Sequence, residues 1–203
     1  MSSEEVVLPF PAPEGVLGEA TAVRSTLVAS SIASLRRHAL FNRYEGLLAA
    51  EHREEVLSTV AGVWLPMRVA RAHYEACERL GLTMHEQVGI GAEVSAKIHE
   101  TFLGTVVRMA RQAGITPWVL LSRGHQMYSR LFQGGGGLRV IQYGPKECRT
   151  DIRGVPLFAV PYFRHAVRGI YQGAVSLFCM QVYVHEIARE ATPSRVALKV
   201  SWV

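Results

Sequence analysis

Eight histidines and three cysteines are the residues in this 203-residue chain best suited to hold a metal, so their spacing decides whether a site can be built. Zinc uses close pairs such as C-x₂₋₄-C or H-x₃₋₅-H to close a tetrahedron. Neither form occurs, and the one mixed pair, His73 and Cys77 a helical turn later, has no second pair to complete four ligands. His165, His185 and Cys179 are too scattered to form a motif. No metal site is expected. Haem needs only one axial His or Cys, so spacing leaves a haem- or tetrapyrrole-binding sensor open as a third reading, behind two that use no cofactor.

Nucleophilic and phosphate chemistry fare no better. Ser122 to His125 read S-R-G-H, not the G-x-S-x-G elbow, and fall inside an expected helix where a strand-to-helix turn is required. The run Gly134 to Gly137 lacks the Lys-Ser/Thr of a P-loop and leads into a strand, so it is expected to be a flexible helix-to-strand joint. Arg164 and Arg168, one turn apart, could hold an anionic ligand group; the plainer reading is a solvated basic face. With no catalytic residue in view, the chain is expected not to be an enzyme.

The elements that would position a site are clearest in the last third. Phe163, Val167, Ile170, Tyr171, Ala174, Leu177 and Phe178 recur at offsets of three, four and seven, which predicts one buried face on a helix from Pro161 to about Met180. Gly169 and Gly173 strip side chains from one line of that helix, where a backbone or a flat ligand can approach. A candidate ligand site follows: Gly169 and Gly173 leave a groove, Tyr171 and Phe178 wall it, and Met127 and Tyr128 face it from the preceding helix. Arg164 or Arg168 would hold a carboxylate at its mouth.

Residues 1–24 carry Pro9, Pro11 and Pro13, which predicts an extended arm with the apolar residues Val6, Val7, Leu8 and Phe10. Residues 25–203 are expected to form a single α+β domain. Helices are expected near 25–38 and 42–51, and from Pro66 to Gly81. Thr83 and Glu86 form a capping box ahead of a longer helix, with a buried stripe of Met84, Val88, Gly91, Ser95, Ile98, Phe102 and Met109. Gly89, Gly91 and Gly104 are candidate bends or breaks in it and Gly114 its stop. Thr116 and Pro117 then open a helix whose face is Leu120, Gly124, Met127, Tyr128 and Leu131. Strands are expected at 138–143, 147–153, 181–187 and 195–202, a four-stranded antiparallel sheet with one face covered by about five helices and the helix between its hairpins.

Nearly half the residues are hydrophobic, which excludes general disorder. No apolar run reaches the roughly 18 residues of a membrane span. The acidic start is unlike a secretory leader, and three unpaired, widely spaced cysteines suit reduced thiols, so a cytoplasmic protein is expected. The first half is net acidic and the second net basic, but the arginines are dispersed over several elements, which makes nucleic acid an unlikely partner.

Tyr162 to Phe178 (Y-F-R-H-A-V-R-G-I-Y-Q-G-A-V-S-L-F), Val182-Tyr-Val-His-Glu-Ile187 and Val196-Ala-Leu-Lys-Val-Ser-Trp202 resemble the four-vinyl-reductase domains. Those domains share a ligand-binding fold with small trafficking subunits of the TRAPP complex. Val63-Trp-Leu-Pro66 and Pro117-Trp-Val-Leu120 resemble an uncharacterised paralogous family of myxobacteria, domain of unknown function 2378. The resemblance implies a bacterial signalling module that is a homodimer, with a small cavity for apolar, lipid-like or tetrapyrrole-like ligands and no catalytic residues. Some relatives bind zinc through cysteines in the terminal hairpin; the turn Ala188 to Ser194 has none. The leading expectation is a non-enzymatic module for an apolar or lipid-like small molecule, and the alternative is a protein-interaction adaptor without ligand.

Overall fold

A computed structural model of the chain describes residues 4–102 and 116–203. It is an α+β fold with two antiparallel sheets. The larger joins β1 (Glu5–Leu8), β5 (Gly137–Gly144), β6 (Glu147–Arg153), β8 (Arg195–Trp202) and β7 (Val182–Glu186) in that order. The smaller is β3 (Trp64–Pro66), β2 (Ala22–Arg24) and β4 (Phe132–Gln133). Helices α1 (Thr26–Arg37), α2 (Phe41–Leu47), α3 (Ala50–Leu57), α4 (Met67–Glu78) and α5 (Met84–Phe102) precede the described part of the second half. There α6 (Trp118–Leu121), α7 (Gly124–Leu131) and α8 (Pro161–Val175) follow.

The expected four-stranded sheet has a fifth strand. Residues 5–8 pair with β5 in the register Glu5 to Gln142 and Val6 to Ile141, with a bulge before Leu8. The prolines come only after this strand, so they end it without breaking its ladder. The 1–24 arm therefore contains two strands, β1 and β2, and a 3₁₀ turn at Glu14–Val16.

The large sheet is two-faced, as its alternation predicts. Cys148, Thr150 and Ile152 are buried under the helices. On the other face Asp151 is also fully buried, because Arg139 (2.5 Å), Arg149 (2.7 Å) and Arg195 (3.9 Å) close over it. Burial alone would raise its carboxyl; hydrogen bonds from Arg139 and Arg149 outweigh burial and hold it below the usual carboxylate range. The arm completes this cover. Phe10 lies over the guanidinium groups of Arg139 (5.0 Å) and Arg153 (5.2 Å), and Glu14 pairs with the same two arginines.

The four-glycine run is a packed crossing, not a flexible joint. Gly136 N donates to Leu17 O (2.7 Å), and the Tyr128 hydroxyl donates to Gly135 O (2.9 Å). Gly136 has φ +75°, and a Cβ there would fall 2.1 Å from the Tyr128 hydroxyl, so position and conformation both demand glycine.

Thr83 and Glu86 form the capping box, with Thr83 N donating to Glu86 (2.7 Å) and Glu86 N to Thr83 Oγ1 (3.4 Å). The buried side of α5 is Gln87, Ile90, Gly91, Val94 and Ser95. That stripe is rotated from the expected one, Met84 is exposed, and α5 runs unbroken through the candidate breaks Gly89 and Gly91. The side chains of Ile98 and Phe102, and Gly104, Met109 and Gly114, lie outside the described residues. The single helix expected after Thr116 is two, α6 and α7, joined through a turn at Ser122 and Arg123.

Candidate functional site

Helix α8 separates its side chains into three rows. The first, Phe163, Val167, Ile170, Tyr171 and Ala174, faces a cavity. The second, Ala166, Gly169 and Gly173, lies against α5: an ideal Cβ on Gly169 would fall 2.0 Å from Val88 O, and one on Gly91 would fall 2.1 Å from Ala166 O. The two helices meet backbone to backbone. The groove expected along Gly169 and Gly173 is thus filled by α5, and the glycines are spent on close helix packing.

The third row is Arg164 and Arg168. Arg164 donates to Phe158 O (3.2 Å) and pairs with Glu186 (3.4 Å); Arg168 Nε donates to Val184 O (2.6 Å). Both fasten α8 to β7, away from the cavity lining, so neither stands at its mouth. The helix ends at Val175, five residues before the expected stop. That leaves Phe178 in the following turn and outside the lining.

The cavity is about 100 Å³ and is lined almost wholly by carbon. Its walls are the α8 row, Gly124, Met127, Tyr128 and Leu131 from α7, and Leu138, Val140 and Ile152 from the sheet. Leu27, Leu121 and Phe158 close it. Of the residues singled out from sequence, Met127, Tyr128 and Tyr171 meet here, while Gly169, Gly173, Phe178, Arg164 and Arg168 do not. Leu138, Val140 and Ile152 join them from strands, and their alternation is the sequence signal that could have found them.

Tyr128 spends its hydroxyl on Gly135 O, and burial pushes its pKa up. Burial, with the Cys148 sulfur nearby, also raises Tyr171, against a smaller pull from the Thr150 hydroxyl. Cys148 is fully buried, and that burial pushes its thiol up to about 12.

The remaining candidates for chemistry stay apart. Ser122 Oγ donates to Val119 O (3.3 Å), while His125 Nε2 lies 3.0 Å from Leu138 O, so each engages a backbone carbonyl of its own. His165 Nδ1 meets Gln87 Oε1 (2.6 Å), His185 is exposed on β7, and the Cys179 thiol donates to Val175 O (3.3 Å). His73 is fully buried between the Tyr44 hydroxyl (2.6 Å) and the Cys77 sulfur (3.6 Å), and burial lowers its pKa to about 3. Among the described residues no three of His, Cys, Asp and Glu converge as metal ligands, and no described helix is long and apolar enough to cross a membrane.

No protein-family model and no curated protein sequence matches the chain. Solved structures do, H-NOX domains among them. A point mutant of the Fe(II) unliganded H-NOX protein from K. algicida has a TM-score of 0.65 at 7% identity, over 89% of this chain and 96% of that one. An oxygen-binding H-NOX domain related to soluble guanylate cyclases, in its oxygen complex, has 0.56 at 15%, over 88% and 94%. A structure described as modulating haem redox potential through protein-induced porphyrin distortion has 0.58 at 14%, over 88% and 94%. At these identities the likeness is one of fold. It overturns the resemblance to four-vinyl-reductase domains, TRAPP subunits and the myxobacterial paralogues. A helix followed by a terminal antiparallel hairpin, on which that resemblance rests, belongs equally to this fold.

A haem needs an axial imidazole, thiolate, thioether or phenolate. The lining offers Met127 and two tyrosines whose phenols are held protonated by burial. His125 stands on α7 beside the lining and not in it, with Nε2 engaged by Leu138 O. Among the described residues no cationic side chain lines the cavity to meet a propionate. Its 100 Å³ is well short of the roughly 300–1,000 Å³ of ordinary ligand clefts. As arranged, these residues do not fit a porphyrin.

Proposed function

We propose that this chain is a non-enzymatic sensory module that binds a small apolar molecule directly in the cavity between α7, α8 and the large sheet. The observation that carries the reading is the cavity itself, about 100 Å³ and walled by carbon. Cavities of comparable size, about 150 Å³, stay free of water and take up benzene or xenon. Binding would stabilise the fold by mass action, and occupancy would be felt by α8, which touches the sheet, α4 and α5 at once.

The test is calorimetry and thermal unfolding with benzene and xenon. Saturable 1:1 binding with a rise in Tm is expected, lost in Ala174→Leu, which fills the cavity. Absence of binding to the wild-type protein would overturn the reading.

A second reading, a haem- or tetrapyrrole-binding sensor, is favoured by the fold shared with H-NOX domains and by His125 beside the cavity. A 1:1 haemin complex with a shifted Soret band that His125→Ala abolishes would replace the first reading with this one.

Homodimerisation is part of the proposal: Val6, Tyr183 and Met180 are exposed apolar residues on or beside the two edge strands, and symmetric pairing would cover them. Sedimentation at tens of micromolar, on the order of concentrations used for obligate dimers, tests this, and a monomer refutes it. A cytoplasmic setting is supported by three free thiols. The ligand-free adaptor is the outcome if the module dimerises or captures a protein but neither apolar probe binds.

A further inference from the structure

Besides the two lining tyrosines, a polar group lies behind the cavity wall. Thr150 sits on β6 on the cavity side of the sheet, directly opposite Val140 and two residues before Ile152, both of which line the cavity. It is fully buried, and its hydroxyl makes no hydrogen bond. The Tyr171 hydroxyl and the Cys148 thiol are its polar neighbours, and weak hydrogen bonding to Thr150 pulls both their pKa values down against burial, but neither contact reaches the geometry of a full hydrogen bond.

A buried hydroxyl without a partner is costly, and a valine in the same place would fill the same volume without that cost. A hydroxyl can donate and accept, and this one neighbours Tyr171, which itself lines the cavity, so a movement of that ring would bring the hydroxyl to a bound molecule. Resting on the reading of this cavity as a ligand site, we propose that Thr150, assisted by the Tyr171 hydroxyl, is its polar anchor. The ligand class is then a small apolar molecule bearing one hydroxyl or carbonyl group, such as a phenol or a short alcohol or ketone.

The experiment compares benzene and phenol binding to the wild-type protein and to Thr150→Val by calorimetry. Benzene affinity should agree within about twofold between the two proteins, while phenol binding weakens by about five- to tenfold in the variant, the scale of one hydrogen bond. Thr150→Val should also melt no lower than wild type, because it removes an unpartnered group; a clearly lower Tm would show that the hydroxyl has a structural partner and overturn the anchor. An unchanged preference for phenol over benzene overturns the anchor alone. Binding of neither probe to wild type overturns the cavity reading and the anchor together.

Discussion

Replacing Gly169 by alanine tests whether α5 and α8 touch through their backbones. The added Cβ would lie 2.0 Å from Val88 O, 2.8 Å from Ala92 N and 2.9 Å from the Val88 carbonyl carbon. All three are main-chain atoms of α5, so no rotamer change relieves the contact. A carbon rests against a carbonyl oxygen at about 3.3 Å or more, so the helices must part locally by roughly 1 Å. A gap of that size forfeits about a quarter to a half of each neighbouring dispersion contact. Overpacking of this kind costs about 3 kcal/mol at the rigid end of its range, and the helix propensity gained over glycine returns about 1 kcal/mol. The net loss of about 2 kcal/mol lowers Tm by about 4–8 °C in a chain of this size. Gly89 is the control: it lies in α5 with nothing within 4 Å of its Cβ position, so Gly89→Ala should raise Tm by about 2–4 °C through propensity alone. Differential scanning calorimetry and urea unfolding read both. A Gly169→Ala protein as stable as wild type, beside a stabilised Gly89→Ala, would refute the backbone-to-backbone contact.

Three further outcomes are expected. Asp151→Ala leaves Arg139 and Arg149 without the acceptor they share and should cost about 2–3 kcal/mol, below the usual toll of a broken buried pair because both arginines are partly exposed; urea unfolding checks it, and a neutral effect refutes it. His73 is pushed from 6.5 to about 3 by burial, so below pH 6.5 the unfolded chain takes up a proton that the folded one refuses. Stability should therefore fall with acid between pH 6.5 and about 3, by on the order of 1.4 kcal/mol per unit, and a His73→Gln variant that keeps the full slope would refute this assignment. Of the three thiols, Cys77 and Cys148 are buried and Cys179 is not, so a thiol reagent should modify one cysteine quickly in the native protein and three after unfolding.

How much of this is legible in the sequence depends on which forces leave a period behind. The inward row of α8 is visible because Phe163, Val167, Ile170 and Tyr171 repeat at helical spacing, and Met127 and Tyr128 share a face of α7 by the same rule. The strands of the two hairpins are visible from their alternation. The use of Gly169 and Gly173 is not, because a missing side chain states that something comes close and not whether it is a ligand or α5. The end of α8 at Val175 is also hidden, since Leu177 and Phe178 continue the apolar period through the turn that follows. Strand β1 hides behind the prolines that end it, its partner β5 lying more than a hundred residues away. Thr150 reads as an ordinary member of an alternating strand; only three-dimensional placement shows that its hydroxyl has nothing to bond.

The crossing at the four glycines has a consequence for how the protein is made. Residues 5–8 and 17–21 find their partners in β5, Gln133, Gly136 and Gly154, so these residues are made well over a hundred positions before the groups they pair with. At synthesis rates of about 5–20 residues per second that delay is on the order of ten seconds. Throughout it Val6, Val7 and Leu8 are an apolar strand without the partner that β5 supplies. An apolar strand without its ladder partner is thus exposed while the intervening residues are being made. Codon choice or chaperone supply that lengthens the interval would tax yield without altering a single contact of the finished fold.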